Sequence, residues 1–158
     1  MLNSLIIFGA KYLIFVIAAM ALVYFLRQPR AKQKELVIFS LITLPLIYLV
    51  SLIVGWLYYN PRPFVVGSFT PLVPHKDSNG FPSDHTLASA AMAVVIWRSN
   101  RRLGLFLLAL AVLVGISRVL AGVHHPVDIV ASFIIAIVVG WLSHRFIFDK
   151  VQALFIKK

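Results

Sequence analysis

The 158-residue sequence contains no cysteine, only five acidic residues and only 13% charged residues in all. Without cysteine, disulfides and thiolate chemistry are excluded, and the sequence carries no sign of its redox compartment. With 61% hydrophobic residues and a mean hydropathy of +0.94, a soluble domain of this length could not bury its apolar surface. The sequence therefore predicts an integral membrane protein. It also lacks a glycine-rich nucleotide loop, an internal repeat and a low-complexity tract, so we expect a single domain over residues 1–158.

The apolar residues form five runs, over residues 5–26, 36–59, 86–97, 103–121 and 126–148. The longer runs can cross roughly 30 Å of hydrocarbon at about 1.5 Å per residue. The third run has only 12 residues, so its helix must extend over about 82–100 to span. The first run is too long for a signal-peptide core and has no basic start, so we expect it to remain as a helix. The sequence predicts an all-α, polytopic membrane bundle of about five transmembrane helices.

Most of the 15 lysine and arginine residues lie in alternate connections between these helices. A net charge of +10 would indicate nucleic-acid binding in a soluble protein, but here the positive-inside rule explains it and makes those connections cytoplasmic. The residues concerned are Arg27, Arg30, Lys32, Lys34, Arg98, Arg101, Arg102, Arg145, Lys150, Lys157 and Lys158. We expect a cytoplasmic C-terminus, an outward-facing loop 60–84 and turn 122–125, and the lipid bilayer rather than nucleic acid as partner.

A second group of charged residues lies within or beside the apolar segments. Residues 115–128, GISRVLAGVHHPVD, place an arginine, two histidines and an aspartate between two such segments. Charges beside hydrocarbon are costly, so this cluster predicts a functional site. The stretches 60–64 (NPRPF) and 80–86 (GFPSDHT) carry similar groups, at the two ends of a long loop that is itself typical of a functional segment. The side chains with suitable chemistry are Arg62, Ser83, His85, Arg118, His124, His125 and Asp128.

These residue types are suited to holding and attacking a phosphate group. Arginines keep their charge and bind phosphate oxygens bidentately. A histidine with a carboxylate four residues later, as in His124 and Asp128, is typical of an oriented nucleophile or base. His85 at another helix start can act as an acid, and both helix starts direct partial positive charge at an anion. Zinc held by the histidines and Asp128 is the alternative; because the neighbouring arginines would repel a cation, we expect no metal.

The same residues resemble three motifs of the type-2 phosphatidic acid phosphatase family of membrane lipid phosphatases: Lys-x6-Arg-Pro, Pro-Ser-Gly-His and Ser-Arg-x5-His-x3-Asp. The third motif is complete in Ser117, Arg118, His124 and Asp128. The second has Asp84 where the family has glycine, and the first retains Arg62 and Pro63 but has Gly55 in place of the lysine. The resemblance covers residues 60 to about 136, the motif-bearing core, and is greatest to the bacterial undecaprenyl-diphosphate phosphatase branch.

The resemblance implies a haloperoxidase-like helical core and a role for each motif residue. His124 would form a phosphohistidine, Asp128 would orient its ring, and His85 would protonate the leaving group and then activate water. The residues expected to bind the substrate phosphate are Arg62, Ser83, Asp84, Ser117 and Arg118. No cofactor is implied, because arginines and helix starts stabilise the developing charge. Lys76 and Lys11 are the candidates to replace the missing lysine.

The resemblance also implies a lipid phosphate substrate. The expected reaction is hydrolysis of undecaprenyl diphosphate to undecaprenyl phosphate and phosphate, at the outer face of a bacterial plasma membrane. Phosphatidylglycerophosphate and the lipid A 1-phosphate are alternatives, because each presents an anionic phosphate at the same depth. A non-catalytic lipid-phosphate-binding protein or a transporter is the alternative from another class, favoured by Gly55 and Asp84. His75 is interpreted as a solvated loop histidine, with head-group binding as the alternative.

Overall fold

The computed structural model describes residues 1–151, and these residues form a bundle of helices. The helices are α1 (Leu2–Lys11), α2 (Leu13–Leu26), α3 (Arg30–Leu57), α4 (Pro63–Val66), α5 (Asp84–Ser99), α6 (Arg101–Leu120) and α7 (Pro126–Leu142), followed by a π-helical segment, Ser143–Phe148. Within this part of the chain no β-strand forms, and one isolated antiparallel bridge joins Pro61 to Asn79. The prediction of an all-α membrane bundle is confirmed.

Three helices are long and apolar enough to cross a membrane within residues 1–151: α3, α6, and the helix that continues from α7 over Pro126–Val151. A fourth crossing is available if α1 and α2 form one broken span, since the two are bent by 49° to each other. The sequence predicted a helix over residues 5–26, and the structure divides this run into α1 and α2 at Tyr12. Apolar residues continue on both sides of the break at Tyr12, so hydropathy alone does not reveal it.

Helix α5 is the short central helix of the bundle. Its 16 residues extend about 24 Å, less than the roughly 30 Å of a hydrocarbon core. It packs against α2, α3, α6 and α7, and its buried face is rich in small residues, including Ala90, Ala91 and Ala93. Small side chains allow close approach of neighbouring helices, which is how membrane bundles gain packing energy. The site described below therefore rests on a closely packed helix.

The helix connections meet at two opposite ends of the bundle. At one end, the Tyr24 hydroxyl lies 2.8 Å from the Ser99 hydroxyl, and Lys32 Nζ lies 3.4 Å from the Ser99 carbonyl oxygen. The Arg98 guanidinium lies 3.9 Å from the centroid of the Phe148 ring. We call this the basic end, because the α2–α3 junction, the α5–α6 junction and the π-helical segment bring their lysines and arginines together there. Of the residues predicted to share one side, Lys157 and Lys158 lie outside the described part of the chain.

Large apolar side chains cover the outside of the bundle. Leu41, Trp56 and Phe15 are 70%, 85% and 66% exposed. Apolar patches of this extent are not tolerated on a soluble monomer. They are the surface that a bilayer would cover, in agreement with the composition.

Candidate active site

The candidate site lies at the end of the bundle opposite the basic end, which we call the site end. It is centred on the turn between α6 and α7, where Gly122 has φ of 75° and allows the chain to reverse. A Cβ at Gly122 would also collide with the ring of Phe69. His124 lies in this turn, immediately before His125, which is the N-cap of α7. The turn therefore places the central histidine next to the N-terminus of α7.

His124 and Asp128 form the hydrogen-bonded pair that the motif predicts. Nδ1 of His124 lies 3.3 Å from Oδ2 of Asp128, which is fully buried. The carboxylate also accepts hydrogen bonds from Nδ2 of Asn60 at 2.7 Å and from the His125 backbone N–H at 2.8 Å. These three donors fix the orientation of the carboxylate. Because Nδ1 of His124 donates to it, the lone pair of His124 lies on Nε2.

Two buried arginines converge on that ring nitrogen. Nη1 of Arg62 lies 3.2 Å from Nε2 of His124, and Nη2 of Arg118 lies 3.3 Å from it. The side chains of Arg62 and Arg118 are 6% and 1% exposed. Within residues 1–151 neither forms an ion pair with a carboxylate. Burying a cation without a counter-charge is costly, so the arrangement favours an anion beside His124.

Main-chain acceptors position both guanidinium groups. Arg62 donates to the carbonyl oxygens of Val123 at 2.9 Å and Asn79 at 3.3 Å. Arg118 donates to the Ala10 carbonyl at 3.3 Å. Ala10 belongs to the last turn of α1, whose carbonyls have no partner within their own helix. The break between α1 and α2 therefore supplies an acceptor to the site. Nε of Arg118 is buried and has no hydrogen-bond partner in the described structure.

The surroundings of His124 favour its neutral form. Burial lowers the pKa of His124 and the charges of Arg118 and Arg62 act in the same direction, against the hydrogen bond to Asp128, which raises it. Burial likewise lowers the pKa of Arg62, while the carboxylates of Asp84 and Asp128 raise it. An imidazole held neutral keeps the Nε2 lone pair available for attack at neutral pH.

The second motif forms the start of α5 and is tied to α7. Ser83 is the fully buried N-cap, and its backbone N–H donates to Oγ of Ser132 at 3.0 Å. Its hydroxyl accepts from Oγ1 of Thr86 at 3.1 Å. His85 lies in the first turn of α5, within electrostatic range of Arg118, His124 and Arg62. Asp84 is exposed, and its charge acts on Arg62 and His85. The structure therefore brings Ser83, Asp84 and His85 to the same end as His124.

Two predicted groups are not part of this cluster. The Ser117 side chain faces α1, where a Cβ at Gly9 would collide with it, so its role in phosphate binding stays a prediction. Lys11 is exposed, with Nζ 5.5 Å from the Tyr12 ring centroid, and Lys76 is exposed on the loop before α5. Their role as replacements for the missing lysine therefore stays a prediction. No group of histidine and carboxylate side chains suited to a metal ion occurs in that part of the chain.

Gly55, at the position of the family's lysine, lies against the loop. A Cβ there would be 3.0 Å from the Phe81 carbonyl oxygen, which is closer than side-chain carbons normally approach. Nδ2 of Asn79 donates to the Gly55 carbonyl at 2.7 Å, and Oδ1 of Asn79 accepts from the backbone N–H groups of Asn60 and Phe81. Glycine at this position permits the close contact between α3 and the loop.

His75, which the sequence pattern placed in solvent, lies beside the site. Its Nε2 lies 3.0 Å from Nη2 of Arg118, and its ring centroid lies 6.3 Å from that of His124. Three further residues that no motif indicates hold Asp128, the loop and the start of α5 in place: Asn60, Asn79 and Ser132. In the sequence, the length of the loop indicates a functional segment, but it does not indicate which residues of the loop face the site.

Comparison with known proteins shows which family this chain resembles. The profile of the PAP2 superfamily matches residues 38–152, which include every residue of the cluster named above except Ala10. Undecaprenyl-diphosphatase BcrC from Bacillus subtilis (strain 168) is 35% identical over 149 residues, covering 92% of this chain and 75% of the relative. Bacitracin transport permease protein BcrC from Bacillus licheniformis is 34% identical over 149 residues, covering 94% and 71%. The crystal structure of a transmembrane PAP2 type phosphatidylglycerolphosphate phosphatase from Bacillus subtilis matches with a TM-score of 0.58 and 26% identity, covering 95% of this chain and 77% of the other.

Proposed function

This chain belongs to the PAP2 superfamily, and we propose that it is a membrane phosphatase that hydrolyses undecaprenyl diphosphate to undecaprenyl phosphate and inorganic phosphate. The observation that carries the proposal is the convergence of Arg62 and Arg118 on Nε2 of His124, at 3.2 and 3.3 Å. Two buried guanidinium groups beside an unprotonated ring nitrogen suit a phosphorus atom that is held by its oxygens and attacked from one side.

In the first step, His124 attacks the terminal phosphorus atom of the substrate. A bond forms between Nε2 and phosphorus, and the bond from phosphorus to the bridging oxygen breaks. His85 donates a proton to that oxygen, and the lipid monophosphate leaves. Asp128 keeps the ring of His124 in the required orientation through the 3.3 Å contact with Nδ1, and Arg62 and Arg118 stabilise the charge on the equatorial oxygens.

In the second step, water attacks the phosphohistidine. His85, now unprotonated, accepts a proton from the water as its oxygen bonds to phosphorus, and the bond to Nε2 of His124 breaks. Inorganic phosphate is released and both histidines return to their starting states. The arginines, the N-terminus of α5 and the N-terminus of α7 provide the positive potential, so no step requires a metal ion.

The substrate assignment rests on similarity to an undecaprenyl-diphosphatase over most of both chains. Phosphatidylglycerophosphate is the second candidate, because a PAP2 type phosphatidylglycerolphosphate phosphatase has a similar structure. The lipid A 1-phosphate remains the third. All three place a phosphate at the level where a membrane helix begins, and His124 lies just before α7 while Asp128 lies in its first turn.

The proposal includes a location. The lysines and arginines at the basic end favour a cytoplasmic position for that end, which puts the site on the outer face of a bacterial plasma membrane. Residues 1–158 would then form one phosphatase domain, with its C-terminus in the cytoplasm.

Phosphate release from defined lipids tests the proposal. Protein purified in detergent is given undecaprenyl diphosphate, phosphatidylglycerophosphate or lipid A, each with a metal chelator present. We expect the fastest release from undecaprenyl diphosphate, and we expect His124→Ala to abolish it. His144→Gln, which alters a histidine of the π-helical segment at the basic end, should retain it.

Each other outcome has a definite meaning. Fastest release from phosphatidylglycerophosphate would move the assignment to that lipid, and sensitivity to the chelator would contradict the metal-free reaction. Release retained by His124→Ala would contradict the site. Lipid binding without release from any substrate would favour the binding or transport class, to which the name of the Bacillus licheniformis relative points.

A further inference from the structure

The loop between α4 and α5 is anchored to the bundle and directs one histidine into the site. The Leu72 backbone N–H donates to the Ala121 carbonyl at 3.0 Å, and Val73, 4% exposed, packs in a buried cluster with Ala10 and Val123. His75 follows two residues later and is half-buried. Its place beside the site is therefore set by packing of the preceding residues.

The contacts of His75 define the state of its ring. Nδ1 lies 3.1 Å from the Pro74 carbonyl oxygen, so Nδ1 carries the proton and donates. Nε2 accepts from Nη2 of Arg118 at 3.0 Å, and the same Nη2 lies 3.3 Å from Nε2 of His124. One guanidinium nitrogen thus bridges two histidine nitrogens. A phosphoryl group that binds to this guanidinium beside His124 comes within reach of Nε2 of His75.

Gly55 has no side chain that could bind phosphate, Lys11 Nζ lies over the Tyr12 ring, and Lys76 is exposed, whereas His75 contacts Arg118. We propose that His75 is a phosphate ligand of this site, donating from Nε2 to a non-bridging oxygen of the bound phosphate. This inference deepens the proposed function and rests on it for the identity of the substrate.

Binding of an anion changes the charges around His75. The pKa of His75 is lowered to about 4 by burial, by the charges of Arg118 and Arg62, and by His124, with the Pro74 carbonyl acting in the opposite direction. A phosphate on the arginines offsets their charge and presents an acceptor oxygen to the ring. His75 then takes up a proton at Nε2, so phosphate binding is coupled to proton uptake. The contribution of His75 to phosphate affinity should therefore fall as pH rises.

Titration with inorganic phosphate tests this without turnover. We compare wild type, His75→Gln and Asp77→Asn at about pH 6 and about pH 8, on either side of the ordinary histidine pKa of about 6.5. His75→Gln should weaken phosphate binding by about 10- to 100-fold at the lower pH, the usual worth of one hydrogen bond to a charged group, and by less at the higher pH. Asp77→Asn removes an exposed charge two residues away and should change affinity by less than about twofold.

Steady-state kinetics with the lipid substrate provide the second readout. KM should rise in His75→Gln by a factor similar to that for phosphate, and His75→Asn with an unchanged melting temperature excludes a folding defect as the cause. Unchanged phosphate affinity and KM in both variants would overturn the inference, as would a fall in kcat alone. If wild type binds phosphate through His75 but hydrolyses none of the lipids, the proposed function is wrong, and the assignment of His75 as a phosphate ligand is retained.

Discussion

At the scale of single residues, the function depends on where four charged or titratable groups are buried. Arg62 and Arg118 are held by carbonyl oxygens rather than by carboxylates, so their charge remains available to an anion. The carboxylate of Asp128 is committed to His124 and to two neutral donors. Neither guanidinium group forms an ion pair with Asp128 or Asp84 in the described part of the chain, which favours an anion beside them.

The pH profile of hydrolysis tests this electrostatic arrangement. His124 must be unprotonated to attack, and its pKa is lowered from 6.5 by burial and by both arginines. The attacking form therefore persists below pH 6.5, and the acid limb of kcat/KM should lie below that value. Removing a nearby positive charge raises the pKa, so Arg62→Gln should move the limb to higher pH while reducing kcat/KM. Arg101→Gln, at the basic end, should leave the limb in place; an acid limb above 6.5 in wild type would contradict the account.

Site residues could be predicted where they belong to a sequence motif, and could not be predicted where their position depends on the fold. His124, Asp128 and the two arginines came from sequence spacing, and the structure brings all four together. His75 did not, because a histidine in a polar loop looks the same whether it faces solvent or Arg118. Only the burial of Val73, two residues earlier, turns it inward.

At the scale of elements, the site depends on a junction between two helices that are distant in sequence. Ser132 on α7 accepts from the Ser83 N–H at the start of α5 and donates to the Asp128 carbonyl at 2.7 Å. One hydroxyl thus links the helix that carries His85 to the helix that carries Asp128. The sequence does not predict this hydrogen-bonded link. Ser132 lies in an apolar run, where a serine cannot be distinguished from a small residue that only packs.

Serine-to-alanine substitutions measure the value of that junction. Ser132→Ala leaves the buried Ser83 N–H with only a long contact of 3.4 Å to the Asp128 carbonyl, which should cost about 1–3 kcal/mol of unfolding free energy. We expect a lower melting temperature and a lower kcat, since His85 and His124 are no longer held together.

Ser89→Ala is the matched control for that substitution. Ser89 is equally buried on α5, but its hydroxyl has no hydrogen-bond partner in the described structure. Its removal should be neutral or slightly stabilising, and activity should be retained. Equal effects of the two substitutions would show that the junction contributes nothing specific.

The helices themselves were predicted better than their interruptions. Long apolar runs identify α3, α6 and α7, since hydropathy reports burial in lipid directly. The break at Tyr12 and the limits of α5 depend on contacts: the Ala10 carbonyl is used by Arg118, and α5 is enclosed by four other helices. Such contacts are invisible in a single sequence.

At the scale of the whole molecule, the two ends of the bundle have different chemistry. The site end gathers His75, His85, His124 and His125 with the two arginines that face His124, and the basic end gathers the lysines and arginines of the connections. Alternate spans with basic connections on one side are the arrangement that the positive-inside rule associates with the cytoplasm. Orientation is therefore a testable consequence of the charge distribution.

Labelling of single cysteines tests the orientation. The chain has no cysteine of its own, so Lys76→Cys at the site end and Arg101→Cys at the basic end can each be made without background. Both side chains are exposed. In intact cells a membrane-impermeant thiol reagent should label Lys76→Cys only, and Arg101→Cys should react only after the membrane is opened. Labelling of both from outside would contradict the proposed topology.

The central claim, that His124 is the nucleophile, is tested most directly by trapping the covalent intermediate. Protein is mixed with undecaprenyl diphosphate carrying a radiolabelled terminal phosphate and is quenched in base, where a phosphohistidine persists. We predict an acid-labile label on His124 in wild type, a larger amount in His85→Ala if water activation is slowed more than attack, and none in His124→Ala. Turnover without any trapped label, or label that persists in His124→Ala, would contradict the account.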